Sequence, residues 1–315
     1  MNPLYALFVD PFAQMLAAPD LLAQTIWVGF VGGVLYALIA LGFVLIYKAS
    51  GVFNFAQGSL VFFAALTFVS LTERGWNFWL ALLVTLIAMI LVGIAIERTV
   101  LRPLVNQPPI TLLMATIGLT FVLEGASQLM WGSQPHGLEL GIPDVPIEWL
   151  SQKWNINISQ FDLFGAFVAG LLVAVLALFF QKTRIGRALR AVADDHQAAL
   201  AVGIPLQHIW AIVWAVAGFV ALVAGVMWGV RNGVQYALTF TALKALPVLI
   251  LGGFESIAGA IVGGLIIGAG EKLAEVYLGP YVGGGIESWF AYVIALLFLL
   301  VRPEGLFGEK IIDRV

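Results

Sequence analysis

The side chains of this sequence that could do chemistry are few, and they stand in apolar surroundings. Asn54, Gln57 and Ser59 lie in "KASGVFNFAQGS" at the head of an apolar run, Glu124 lies inside the stretch 110 to 131, and Lys244, Glu255 and Ser256 interrupt the run 233 to 278. A carboxylate within a membrane span is costly and by default functional. Glu124 could relay a proton; it could equally be hydrated near the outer surface or bonded to a neighbouring Ser or Thr. Unwound backbone at membrane depth is tolerated only inside protein or beside water. Asn54, Gln57 and Ser59 therefore either satisfy one another and the freed backbone or line a path for solute, and Lys244, Glu255 and Ser256 are candidates for the same path.

No catalytic constellation accompanies them. The chain has no cysteine, which excludes disulfides, thiolate metal sites and cysteine nucleophiles. His136, His196 and His208 form no metal-ligand pattern, and neither a GxxxxGK[ST] phosphate loop nor a GxSxG elbow occurs. The expectation is a protein that is not itself an enzyme and holds no metal or nucleotide. Basic residues lack the interleaved aromatics of a nucleic-acid surface.

Composition places these residues in a membrane. Of 315 residues 61% are hydrophobic and 10% charged, with a mean hydropathy of +1.00. The expected fold is an all-α polytopic bundle with about 8–9 hydrophobic segments. A span needs roughly 20 apolar residues, and 21–47, 76–96, 110–131, 161–180, 208–230 and 286–301 qualify. The segment 51–72 reads as one broken span and 233–278 as two, giving nine crossings; if 233–278 is re-entrant, seven. Ten basic residues (Lys48, Arg98, Arg102, Lys182, Arg184, Arg187, Arg190, Arg302, Lys310, Arg314) fall on one side and four (Arg74, Lys153, Arg231, Lys272) on the other. The positive-inside rule then puts the amino terminus outside and the carboxyl terminus inside.

Residues 1–20 carry no Lys or Arg, so a secretory signal is not expected. Leu4, Leu7, Phe8, Phe12, Met15 and Leu16 instead recur at the spacing of a surface-lying amphipathic helix. Residues 21–302 form the membrane domain and 303–315 a cytoplasmic tail. Two loops are long: 132–160 outside, with Trp149 and Trp154 suited to the interface, and 181–207 inside.

The inner loop contains "RALRAVADDHQAALAVGI". Asp194 can cap a short helix with Gln197 three residues on, Gly203 suits the left-handed position that ends it, and Pro205 prevents continuation. About eight residues at 1.5 Å each span roughly 12 Å, too little to cross. Ala198, Ala199, Ala201 and Gly203 leave a smooth surface that fits either a docking partner or a solvated connector. Further on, Gly252, Gly253, Gly259, Gly263, Gly264 and Gly268 include the small-xxx-small spacing of close helix packing. A loose repeat at an offset of 200 pairs "GVLYAL" with "GVQYAL" and "FNFAQG" with "FESIAG", and chance explains it as readily as duplication.

The blocks "FNFAQGSL", "ERTVLRPLVNQPPITLLMATIGL", "TRIGRALRAVADDHQAALAVGI", "LKALPVLILGGFESIAGAIVGGLIIG" and "RPEGLFG", in this order from about residue 25 to 308, resemble the branched-chain amino acid permeases of ABC importers, in particular the shorter, high-affinity type. The resemblance implies a second homologous permease, two ATPases that carry ATP–Mg on the cytoplasmic face, a periplasmic substrate-binding protein, and a bacterial inner membrane. It makes 194–203 the coupling helix, with Arg187, Arg190, Asp194, Asp195, Ala198, Ala199 and Gly203 facing an ATPase. Ser59 departs from the family, which often has a carboxylate there, so urea, short amides or small carboxylates are alternative solutes. The rival reading is a proton-coupled secondary transporter using Glu124; a membrane-embedded enzyme or scaffold finds no catalytic constellation and leaves the capped helix unexplained.

Overall fold

The computed structural model describes residues 9–104, 107–154 and 156–308. Lipid supplies no hydrogen-bond partners, so a chain this apolar must satisfy its backbone internally, and it does so with helices. They are α1 (Asp10–Ala17), α2 (Pro19–Ser50), α3 (Gln57–Glu73), α4 (Phe78–Ile96), α5 (Pro109–Trp131), α6 (Glu148–Trp154), α7 (Gln160–Lys182), α8 (Arg184–Asp194), α9 (His196–Ala201), α10 (Leu206–Asn232), α11 (Leu238–Lys244), α12 (Leu246–Gly252), α13 (Ile257–Tyr277), α14 (Gly279–Val282) and α15 (Phe290–Val301). A π-helical turn, Glu97–Leu101, extends α4.

Among the described residues six helices are long and apolar enough to cross a membrane: α2, α4 with its extension, α5, α7, α10 and α13. Three shorter apolar stretches, α3, Leu238–Gly252 and α15, complete the bundle. The run 233–278 goes from one end of the bundle to the other and turns back. Val234 exchanges backbone hydrogen bonds with His136 at one end of the bundle, and Gly252 meets Gly259 at the other before α13 returns.

The centre is α2, buried along most of its length, with α10 and α13 against it. Gly29 and Gly33 of α2 face Gly268 and Gly264 of antiparallel α13. A Cβ added to Gly33 would lie 2.3 Å from the Gly264 carbonyl oxygen, and one on Gly268 2.3 Å from that of Gly29. Gly252 and Gly259 make a second such contact at the turn between α12 and α13, and Gly263 lies against Val248. Gly253, at φ 102°, packs on Gly305 and Gly308 of the returning tail. Outer helices expose large apolar side chains along one face, such as Ile87 and Leu91 of α4, Phe167 and Leu171 of α7 and Leu296 and Leu300 of α15, as lipid-facing helices do.

Four expectations need correction. The inner loop holds two helices, because Leu189 and Val192, with Gly186, form a buried stripe on α8 while Arg184, Arg187 and Asp194 stay exposed. The cap of α9 is Asp195: its Oδ1 accepts from the amides of Gln197 (2.8 Å) and Ala198 (3.0 Å), whereas Asp194 ends α8. Ala199 is packed inside, which takes it off the smooth docking face. In the offset repeat, "GVLYAL" lies within α2 but "GVQYAL" is the unwound approach to α11, so those two stretches differ in structure. Gly203 does take the left-handed conformation, φ 86°. Of the lead-in, residues 1–8 lie outside the described part, as do residues 309–315 of the tail and the side chain of Trp154; Phe12 and Met15 of α1 line a groove with Leu273 and Tyr277 of α13 and with Trp289.

Candidate functional site

Two interrupted passes meet in the middle of the bundle. After α2 stops at Gly51 (φ 69°), residues 51–56 run back without helix, and α3 begins only at Gln57, whose side chain packs against Gly42 more than two turns before the end of α2. Residues 234–237 likewise approach without helix, and α11 starts level with Gly58, where an added Cβ would lie 2.3 Å from the Thr239 carbonyl. Asn54 closes its own turn: its Oδ1 accepts from Ala56 N, and its Nδ2 donates to Gln57 Oε1 at 3.5 Å. Gln57 Nε2 is buried without a partner.

At this junction the Ser59 hydroxyl donates to Glu124 Oε1 (3.0 Å) and the Tyr236 hydroxyl donates to Glu124 Oε2 (3.1 Å). An acid from α5 therefore lies within hydrogen-bond reach of position 59. Both oxygens are occupied by hydroxyl donors, and nothing in these contacts supports a proton-driven carrier. Glu124 is 8% exposed, against 1% for Glu97, which pairs with Arg102, and 2% for Glu271.

Across α11 from this junction is a polar cavity of about 270 Å³. Phe240 lines both it and the groove beside Ser59 and Glu124, so α11 is the wall between them. The cavity is bounded by Gly29, Gly32 and Tyr36 of α2, Trp228 and Arg231 of α10, Lys244 of α11, and Glu271 and Lys272 of α13. Tyr36 and Trp228 stack with ring centres 5.1 Å apart. Arg231 pairs with Asp162, and Lys272 with Glu287 at 2.8 Å. Glu271 Oε1 and Trp228 Nε1 are buried with no partner. The structure thus brings Lys244 to a cavity with residues that the sequence did not single out. Glu271 carries the same signal as Glu124, a carboxylate inside an apolar helix, within the run 233–278 that reads as two broken spans. Tyr36 and Trp228 gave no signal.

Glu255 and Ser256 lie elsewhere. Ser256 caps α13 by accepting from Gly259 N (2.9 Å), and the Glu255 carbonyl accepts from Lys48 Nζ (3.3 Å). They line a cleft at the end of the bundle with Gly186 and Arg190 of α8. At that end α8 is locked down. Arg190 Nη1 donates to the Phe180 carbonyl (2.7 Å), and a Cβ on Gly186 would fall 1.7 Å from the same oxygen. Trp210 Nε1 donates to the Ala49 carbonyl, tying α10 to α2 (2.8 Å). The helix α9 projects from this platform with Leu200 52% and Val202 75% exposed, flanked by Arg187, Asp194, Asp195 and Ala198 at the surface. Leu200 and Val202 were both absent from the sequence-based candidates.

The family model described as the branched-chain amino acid transport system permease component matches residues 26–302. This chain belongs to that family. The high-affinity branched-chain amino acid transport system permease protein LivH of Escherichia coli (strain K12) is 30% identical over 304 residues, covering 93% of this chain and 97% of LivH. BraD of Pseudomonas aeruginosa, of the same description, is 31% identical over 299 residues, covering 91% and 96%. The fructose import permease protein FruF of Bifidobacterium longum is 24% identical, covering 85% of this chain and 75% of FruF. The relatives this chain resembles thus carry names of chemically different solutes, and nothing in them supports the proton-driven reading. The chain is a multi-pass membrane permease subunit.

Proposed function

We propose that this permease is one of two homologous membrane subunits that form the path of an ATP-driven importer in the bacterial inner membrane. Its solute is a branched-chain amino acid or a related small polar molecule. Two partner ATPases carry ATP–Mg and dock on the α8–α9 platform. A periplasmic binding protein delivers the solute to the opposite end, where His136 and Arg231 lie. The ten-to-four distribution of basic residues supports the reading with α8 and α9 in the cytoplasm and the amino terminus outside.

The observation that carries the coupling role is the seating of α9. It is joined through Asp195 to α8, which is bonded to the end of α7 by Arg190, and it leads through Gly203 into α10. A push on Leu200 and Val202 therefore acts on two spans at once, and α10 forms part of the cavity wall through Trp228. Proteoliposomes provide the test. Leucine uptake is expected only with the second permease, the ATPases, the binding protein and ATP present; accumulation by this chain alone under a pH gradient would overturn the proposal.

A further inference from the structure

Resting on the reading of this chain as an amino-acid permease, we propose that the cavity between α2, α10, α11 and α13 is its solute site, with Lys244 taking the carboxylate and Glu271 the ammonium of a small zwitterion. The charges lining the cavity sort themselves. Arg231 and Lys272 are held by Asp162 and Glu287, and the four ion pairs among the described residues leave out Lys244 and Glu271. Lys244 and Glu271 face the same cavity and feel each other's charge without closing an ion pair, and the Tyr36 hydroxyl is the hydrogen-bond partner of Glu271, which leaves room for a ligand between the two charges.

Glu271 Oε1 is buried with no donor, in a side chain only 2% exposed. An unsatisfied buried acceptor is costly, and more so when charged. A ligand ammonium supplies the donor that Oε1 lacks and a cation closer than Lys244. Trp228 Nε1, also unpartnered, offers the carboxylate a second donor. Gly29, Gly32, Ala237 and Phe240 provide an apolar surface for an aliphatic side chain. The volume of about 270 Å³ equals the share of about nine waters, enough for one small amino acid. An uncharged amide such as urea would leave Lys244 and Glu271 with only each other at a distance, so the site favours the amino acid among the candidate solutes.

The test is equilibrium binding to the full-length chain in lipid nanodiscs without the binding protein. The probes are leucine, 4-methylpentanoate, which lacks the amino group, and 3-methylbutylamine, which lacks the carboxylate. Wild type is expected to prefer leucine at least tenfold over both. Glu271→Gln should erase the preference over 4-methylpentanoate and keep that over the amine; Lys244→Gln should do the reverse. These are ratios within one sample, so partial misfolding does not produce them. Binding of none of the probes by wild type, or ratios unchanged in both variants, overturns the site. Leucine uptake by the complete transporter, measured separately, separates the failures: uptake with unchanged ratios removes only this site, while no uptake removes the amino-acid reading itself.

Discussion

Replacing Gly33 by Ala tests whether the α2–α13 seam sets the cavity wall. The new Cβ would lie 2.3 Å from the Gly264 carbonyl oxygen and 2.8 Å from its carbon. Ordinary contact begins near 3.4 Å, so the helices must part by about 1.1 Å at this point. No slack exists nearby, because the added Cβ positions of Gly29, Gly264 and Gly268 are 2.6, 2.5 and 2.3 Å from backbone atoms. Overpacking of this kind costs about 1–3 kcal/mol, and no flexible side chain can relieve it. The adjacent residue is the control. A Cβ on Gly32 meets nothing within 4 Å and enters the cavity, so Gly32→Ala should leave stability unchanged or raised by up to about 1 kcal/mol through helix propensity. Thermal unfolding of the purified chain in detergent reads the first effect and leucine binding the second. Gly33→Ala should lower stability with a large drop in midpoint; Gly32→Ala should keep or raise the midpoint and weaken binding. Equal midpoints for Gly33→Ala and wild type would refute the seam argument.

Two further outcomes follow from particular bonds. Glu124→Gln keeps one carbonyl acceptor but loses the charge facing the hydroxyls of Ser59 and Tyr236, so stability should fall by about 1–2 kcal/mol; ATP-driven uptake should persist and remain indifferent to a proton ionophore, as a flux assay with and without the ionophore would show. Asp195→Ala removes the acceptor for two amides of α9, worth about 1 kcal/mol, and hydrogen exchange at Gln197 and Ala198 should accelerate about fivefold with α8 unaffected.

The long spans were legible because a bilayer demands about 20 apolar residues in a row, and α2, α5, α7 and α10 provide them with little interruption. The places where helix stops were legible too, since Gly203 and the polar stretch after Gly51 announce them. What faces what was not. Ser59, Glu124 and Tyr236 converge from three segments separated by 65 and 112 residues in sequence, and no local pattern encodes that meeting. Lys244 and Glu271 come together only because α11 and α13 border the same cavity. The misplaced cap has a simpler cause. Asp194 and Asp195 are adjacent, either can cap, and the amphipathic stripe of α8, which claims Asp194 as its last residue, was the signal that decides between them.

The central claim is that partner ATPases drive this permease through α9, and one measurement tests it most directly. Ala198 lies on the exposed face between Asp195 and Val202, outside the packed contact made by Ala199. In the complete transporter in proteoliposomes, Ala198→Trp should abolish solute-stimulated ATP hydrolysis and uptake while the chain inserts and melts as wild type. Full stimulation in that variant would contradict the account.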